Sequence, residues 1–424
     1  MTVKPLQPTL RPALLIFAFC VVMIAASRGM GETYAVFLLP LSAELDWNRA
    51  SVTSVYSVYM LAFGFGSLLS GLVYDRLGPC FNYLIGVILL VGCYGLAGSG
   101  LLTSLVAFYL AIGICGGIGA AMVGIVPMQS LISKWFVRGR ATAVSIAYSG
   151  QGIGVMLLAP TAQIAIDRFG WQGAYLGASF GFIAVLILVL LLPWRRIAAG
   201  RPVSAQQPRQ TSAEAPATPV ALGPEGGLSL RQAVRRIEFW AFFTIYAASA
   251  ISIFAVSLQV VAFLVDQNFS VVQAALAFGS IGMLTILGIA LTGILSERFP
   301  RHLVATASYL LTLTGILALA ALQWYPGWLL LVMFVLCFGL SAGARGPIIT
   351  SQMAELFAGR GLASIFGATN IGQGCGAALG AFMAGYLYDL TGGYNTGFGM
   401  SLAFALVGLA TFWLVPAIRQ GRRR

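Results

Sequence analysis

Charge is what this sequence has least of. Of 424 residues only 12 are Asp or Glu, and Asp, Glu, Lys and Arg together make up 8% of the chain. Soluble domains carry about 25%, so there is too little charge here to cover a water-facing surface. Histidine occurs once, at His302 in a predicted loop, which removes most imidazole-based acid–base and zinc chemistry. The sequence contains no HExxH and no nucleophile elbow, and no soluble signalling domain interrupts it. Six cysteines (Cys20, Cys80, Cys93, Cys115, Cys337 and Cys375) fall in or beside apolar runs without metal-ligand spacing. They are expected to be reduced packing residues. An enzyme or a sensor therefore finds little support, and neither a cofactor nor a metal is expected.

What fills the chain is hydrocarbon. It is 59% hydrophobic, with a mean hydropathy of +0.91, and apolar runs of 18 or more residues recur. Each is long enough to cross a ~30 Å hydrocarbon layer. The fold class expected is an all-α polytopic membrane protein, with the lipid bilayer as its first partner. The net charge of +12 does not imply nucleic acid, because the basic residues sit in short loops between apolar runs. Lys4, Arg11 and Ala25-Ala26-Ser27 resemble a cleavable signal, but the apolar run continues to Leu39. An uncleaved first helix is expected.

The apolar pattern predicts twelve helices, near 12–39, 50–73, 81–99, 101–132, 141–166, 172–193, 238–263, 270–294, 303–323, 327–354, 362–387 and 395–416. Twelve spans leave both termini on one side, and twenty of the 24 Lys and Arg residues lie on that side. Only Arg49 and Arg168 occupy loops on the other, and Arg28 and Arg345 lie within spans. The positive-inside rule then makes both termini cytoplasmic, in the plasma membrane or the inner membrane of a bacterium. Residues 195–237 are rich in Pro, Gln, Ala, Ser and Arg and have little to bury. They predict a cytoplasmic linker, with a short amphipathic helix near Leu228–Ile237, between a first half at 1–194 and a second at 238–424.

The halves repeat at a spacing of 222 residues. Gly71-Leu-Val-Tyr-Asp75-Arg76 returns as Gly293-Ile-Leu-Ser-Glu297-Arg298. In the same register Cys115 meets Cys337, Gly150-Gln151-Gly152 meets Gly372-Gln373-Gly374, and Asp167 meets Asp389. Two six-helix repeats of the same sense are a transporter architecture, with the site at mid-membrane between them. Such a unit is expected to function as a monomer, with the first, fourth, seventh and tenth helices nearest the central cavity.

At these residues the chain resembles the major facilitator superfamily, whose signature is G-x-x-x-D-R-x-G followed by basic residues between helices 2 and 3. Gly71, Asp75, Arg76 and Gly78 match it, while Pro79-Cys80 replaces the basic pair. Glu44-Leu-Asp-Trp47-Asn-Arg49 and Gly385-Tyr-Leu-Tyr-Asp389-Leu-Thr-Gly392-Gly-Tyr394 look like the oxalate/formate antiporter and monocarboxylate transporter branch. The resemblance implies alternating access, with Asp75, Arg76, Glu297 and Arg298 forming a cytoplasmic gate. It also implies a basic residue on the eighth helix, sometimes another on the eleventh, and here neither helix carries one within the span.

The intramembrane cations are Arg28 and Arg345 instead. At ~1.5 Å per residue Arg28 lies roughly 25 Å from Arg11 and roughly 18 Å from Pro40, deep in the first helix. Glu32 follows it by four residues, on the same face. A guanidinium at such depth faces protein or water, not lipid. Each arginine is a candidate anion contact, since its planar fork matches a carboxylate, or else a structural residue, in Arg345's case bonded to backbone carbonyls where Gly343, Gly346 and Pro347 disturb the helix. Glu32 is either the partner of Arg28 or a carboxylate that takes up and releases protons. Tyr59, Tyr148, Gln151, Asn370 and Gln373 are further substrate-contact candidates, with interhelical packing as the alternative. The function expected is secondary transport of small organic anions, mono- or dicarboxylates, coupled to protons or a counter-substrate. An exporter of drugs or neutral solutes is the alternative.

Overall fold

The computed structural model describes residues 10–135, 146–194, 197, 230–357, 362–416 and 418. Each predicted helix has a counterpart there, numbered α1 to α12. α1 runs Leu10–Glu32 and resumes as Tyr34–Glu44. α2 and α3 share one helical run, Arg49–Gly98, folded at Gly78, where φ is 86°. α4 strings together Leu105–Phe108, a π-helical Tyr109–Gly116, Gly117–Val123 and Ile125–Trp135. α5 and α6 share Gly150–Leu191, folded at Gly170. α7 is Ile237–Ser257 with Val260–Asp266, α8 is Val271–Arg298 and α9 is Arg301–Ala321. α10 is Trp328–Ala342 with Arg345–Leu356, α11 is Leu362–Thr391 and α12 is Asn395–Leu414.

The differences from expectation are breaks. α1, α4, α7 and α10, every third helix, are interrupted, whereas the apolar pattern predicted single spans, with a disturbance foreseen only in α10 at Gly343, Gly346 and Pro347. In α1 the break falls at Thr33, whose hydroxyl donates to the Gly29 carbonyl at 2.7 Å. Of the amphipathic helix expected near 228–237, Leu230–Ala233 is helical and residues 228 and 229 lie outside the described residues. Most of the predicted linker lies outside the described residues, as do residues 141–145 of the fifth predicted helix. The six cysteines are unpaired, but Cys375 is exposed, so it is not the packing residue expected. Exposed side chains such as Phe180 and Leu329 gain shelter from water only in a bilayer.

The 222-residue repeat reappears in backbone detail. Asp46 and Asn268 both have positive φ, 52° and 66°, and each opens the turn into the next helix. Two residues on, Asn48 caps α2 by accepting from Ser51 N, and Ser270 caps α8 by accepting from Gln273 N. These caps satisfy N–H groups that a helix start leaves open. Gly170 and Gly392 turn the α5–α6 and α11–α12 corners with φ of 71° and 66°. Packing repeats too. A Cβ on Gly154 of α5 would strike the Ala25 carbonyl of α1, and one on Gly376 of α11 would strike that of Ala247 of α7.

Between the halves, α2 packs on α11 and α5 on α8. The Ser57 hydroxyl donates to the Ala378 carbonyl at 2.7 Å across the first contact. In the second, Gly152 and Gly282 let the backbones touch. Small residues at such crossings allow the close van der Waals approach that drives helix association in lipid.

Candidate functional site

The sequence Ser27-Arg28-Gly29-Met30-Gly31-Glu32-Thr33 builds the first cluster. Gly29 has no side chain because Gly154 of α5 lies against it, and Gly31 because the Tyr59 hydroxyl of α2 occupies its Cβ position. α5 thereby brings up Gln151 and Tyr148, and α2 brings up Tyr56 and Tyr59. Arg28 Nη2 bonds Glu32 Oε1 at 2.8 Å. The Tyr56 hydroxyl donates to Glu32 Oε2 at 3.2 Å. Arg28 Nε makes a long bond, 3.5 Å, to Gln151 Oε1, and the guanidinium lies 4.8 Å from the centre of the Phe63 ring. Tyr148 stands within electrostatic reach of both charges. Arg28 and Glu32 are buried, so the ion pair sits where screening is weak and either charge alone would be costly.

Arg345 is surrounded differently. The break at Gly343–Ala344 makes it the first residue of Arg345–Leu356, where the helix dipole disfavours a cation. It is 3% exposed. Its Nε donates to Ser308 Oγ at 3.3 Å, its Nη2 bonds Thr312 Oγ1, and the Tyr309 ring lies 4.1 Å away. Tyr309 in turn shares a 2.7 Å hydrogen bond with Ser249 of α7. Among the described residues Nη1 has no hydrogen-bond partner and no carboxylate pairs with this cation. No hydrogen bond among the described residues joins Arg345 to the Arg28 cluster. Asn370 is half-buried and Gln373 exposed, and neither is bonded to either arginine.

A third cluster carries no site role in the sequence reading. At the end of the bundle away from the chain termini, Arg49 starts α2 and reaches across to the second half. Its Nη2 pairs with Asp266 Oδ2 of α7 at 3.2 Å, and Nη1 bonds the Tyr394 hydroxyl. The guanidinium lies 3.7 Å from the Tyr388 ring centre. Asp389 of α11 accepts from Arg49 N at 3.1 Å and Ala50 N at 2.7 Å, placing a carboxylate on the α2 N-terminus, where the dipole favours it. Asp266 also accepts from the Tyr394 hydroxyl at 2.5 Å. The available signal was two conspicuous charges, Arg49 and Asp389, in the loops of different halves. At the opposite end Arg76 and Arg298 are exposed, and the side chains of Asp75 and Glu297 lie outside the described set.

Two similar six-helix repeats that enclose buried charge define a membrane transporter. The profile of the Major Facilitator Superfamily matches residues 17–372 and 285–424, and the chain belongs to that family. Monocarboxylate transporter 13 of Bos taurus is 26% identical over 392 residues, 92% of this chain and 85% of the relative. Monocarboxylate transporter 12 of Homo sapiens is 26% identical over 437 residues, 96% of this chain and 81% of the relative. The inward-open xylose transporter XylE from E. coli superposes with a TM-score of 0.69 at 15% identity, covering 96% of this chain and 98% of its own. The chain is thus a multi-pass transporter similar to the monocarboxylate branch, and not an enzyme.

Proposed function

We propose that the chain is a secondary transporter of small organic anions, mono- or dicarboxylates, working by alternating access with proton coupling or exchange. One observation carries this reading: among the described residues the buried charges do not cancel. Arg28 is paired with Glu32, whereas the described groups around Arg345 are hydroxyls and a ring, and Nη1 has no hydrogen-bond partner among them. A cation kept in the membrane interior without a counter-charge is expensive, and a carboxylate in transit would relieve it through charge-assisted bonds. Arg28, with Tyr59, Tyr148 and Gln151 around it, receives the anion when Glu32 is protonated; Asn370 and Gln373 line its path from the second half. Monocarboxylate transporters among the relatives support the substrate class.

Halves 1–194 and 238–424 rock about this site, joined through 195–237, with both termini in the cytoplasm of a plasma or inner membrane. The Arg49 cluster closes the outer end, and Asp75, Arg76, Glu297 and Arg298 close the cytoplasmic end in the opposite state. A single chain suffices. The satisfied hydroxyl bonds of Arg345 favour a second reading, in which that arginine is structural and the cargo is a drug or neutral solute.

Uptake of labelled lactate, oxalate and succinate into proteoliposomes, with and without a pH gradient, separates the two. Saturable accumulation of at least one acid is expected. Passage of none of them, with transport of a neutral solute, overturns the anion reading.

A further inference from the structure

The guanidinium of Arg49 lies in a cage that belongs to the other half of the molecule. Among the described residues, every hydrogen bond and ring contact of this guanidinium is made to α7, to α11 or to the turn between α11 and α12. Nη2 donates to Asp266 Oδ2 at 3.2 Å, and Nη1 donates to Gln259 Oε1 at 3.4 Å and to the Tyr394 hydroxyl. The central carbon lies 3.7 Å from the Tyr388 ring centre and 5.1 Å from that of Tyr394. A ring face beneath and acceptors for two separate nitrogens suit a planar guanidinium better than an ammonium. The cage holds its shape through contacts of its own. Tyr394 donates to Asp266 Oδ2 at 2.5 Å, its ring stands 4.8 Å from that of Tyr388, and Phe263 of α7 meets it edge-on at 5.0 Å. Gly392, at a φ of 66°, turns the chain back so that Tyr394 returns to Tyr388. All of these contacts lie within the second half, so they persist when the halves part.

The first half has the same corner without the cage. In the 222-residue register Asp266 answers to Glu44 and Tyr394 to Gln172, whose side chains meet at 3.4 Å, but Tyr388 answers to Ile166 and Arg49 to Val271. Solvent reaches the cage: the Asp266 side chain is 39% exposed, while that of the inserted Arg49 is 11% exposed. We propose that this cage, once Arg49 withdraws, binds a small organic cation carrying a guanidinium group, which enters from the end of the bundle away from the chain termini. The bound cation keeps Arg49 out and holds that end open. The hold on closure rests on the role proposed above for the Arg49 cluster; the site rests on the contacts that a guanidinium already makes there. Arg49, delivered by its own helix, competes as a tethered ligand at an effective concentration on the order of millimolar, so a free cation acts in that range.

Methylguanidinium tests the site, read by saturation-transfer NMR on the full chain in nanodiscs of zwitterionic lipid. The unmodified chain should transfer saturation to the methyl group, and Arg49→Ala should do so about fivefold more strongly, because the tethered competitor is gone. Methylammonium, with the charge but without the fork, should give a weaker signal from both. Tyr388→Leu should remove the methylguanidinium signal, and Asp266→Asn, on an exposed side chain, serves where Tyr388→Leu yields no monodisperse protein. No signal from the unmodified chain, or one that both substitutions leave unchanged, overturns the site; this comparison decides even if Arg49→Ala fails to fold. The hold on closure is read from Val261→Cys, at a position 1% exposed. External methylguanidinium at saturation should speed its labelling by an impermeant maleimide about fivefold, as far as loss of the Arg49 ion pair takes it. Unchanged labelling with the NMR signal intact overturns the hold and leaves the site. If Arg49→Ala also labels at the unmodified rate, the closing role of Arg49 is what has failed.

Discussion

Arg28 and Arg345 are buried cations in equivalent halves, and they keep opposite company. Arg28 sits mid-helix beside a carboxylate, a tyrosine hydroxyl and a glutamine amide. Arg345 starts a helix segment among three hydroxyl-bearing residues of α9. Their repeat mates are Ala250 and Val123, so neither half copies the other's charge. Where Arg345 meets Ser308, the first half has Val123 against Gly86, a contact with no polar atom. Duplication supplied the scaffold twice, through caps, corners and glycine crossings, while each charge was placed once. A scaffold depends on backbone contacts that any apolar neighbour can satisfy, and a buried charge requires specific partners.

The largest expected effect tests the shared scaffold. Gly154→Leu and Gly376→Leu each force a side chain into a carbonyl of the neighbouring helix, and overpacking of this kind costs about 1–3 kcal/mol or more. Both should fail to give monodisperse protein on size exclusion. Survival of one alone would mean that the two crossings are not equivalent.

Next comes the contrast between the arginines. Arg345→Lys keeps the charge but loses the two-pronged fork, and losing about 2 kcal/mol weakens carboxylate binding about thirtyfold. Arg28→Lys, whose charge Glu32 already offsets, should lose about fivefold. Calorimetric titration with oxalate measures both, and equal losses would erase the distinction.

Glu32→Gln sharpens it further. With Glu32 ionised the two arginines and the carboxylate sum to +1, and protonation makes the site +2. Oxalate binding should therefore tighten as pH falls, by at most about tenfold per pH unit for one linked proton. The same titration in Glu32→Gln should be flat; a slope that persists would remove Glu32 from the coupling role.

The smallest effect concerns the Arg49 end. Arg49→Gln removes a partly exposed ion pair worth about 1 kcal/mol, a shift of about fivefold between closed and open populations. A cysteine at Val261, which is 1% exposed, should then react about fivefold faster with an impermeant maleimide. No change would assign the closure to helix packing instead of to Arg49.

The helices were legible because hydrocarbon thickness sets their length and a run of apolar residues is a local property. The α10 break at Gly343–Ala344 falls where Gly343, Gly346 and Pro347 already mark a disturbed helix, whereas the breaks in α1, α4 and α7 were not legible, since hydropathy averages over single residues. Glu32 four residues after Arg28 announced its own partner, because i and i+4 are neighbours on any helix. The Arg49 cluster was present as Arg49, Asp266, Asp389 and Tyr394, separated by up to 345 residues, and no periodicity joins residues so distant.

By itself, then, the sequence determined a twelve-span membrane protein in two like repeats, and that charge was buried at positions 28, 32 and 345. Tertiary structure alone decided what each charge meets. Composition and period act along the chain, where neighbours are known in advance. The hydroxyls around Arg345, the Tyr56 hydroxyl on Glu32 and the carboxylate on the start of α2 exist only once separate helices have packed.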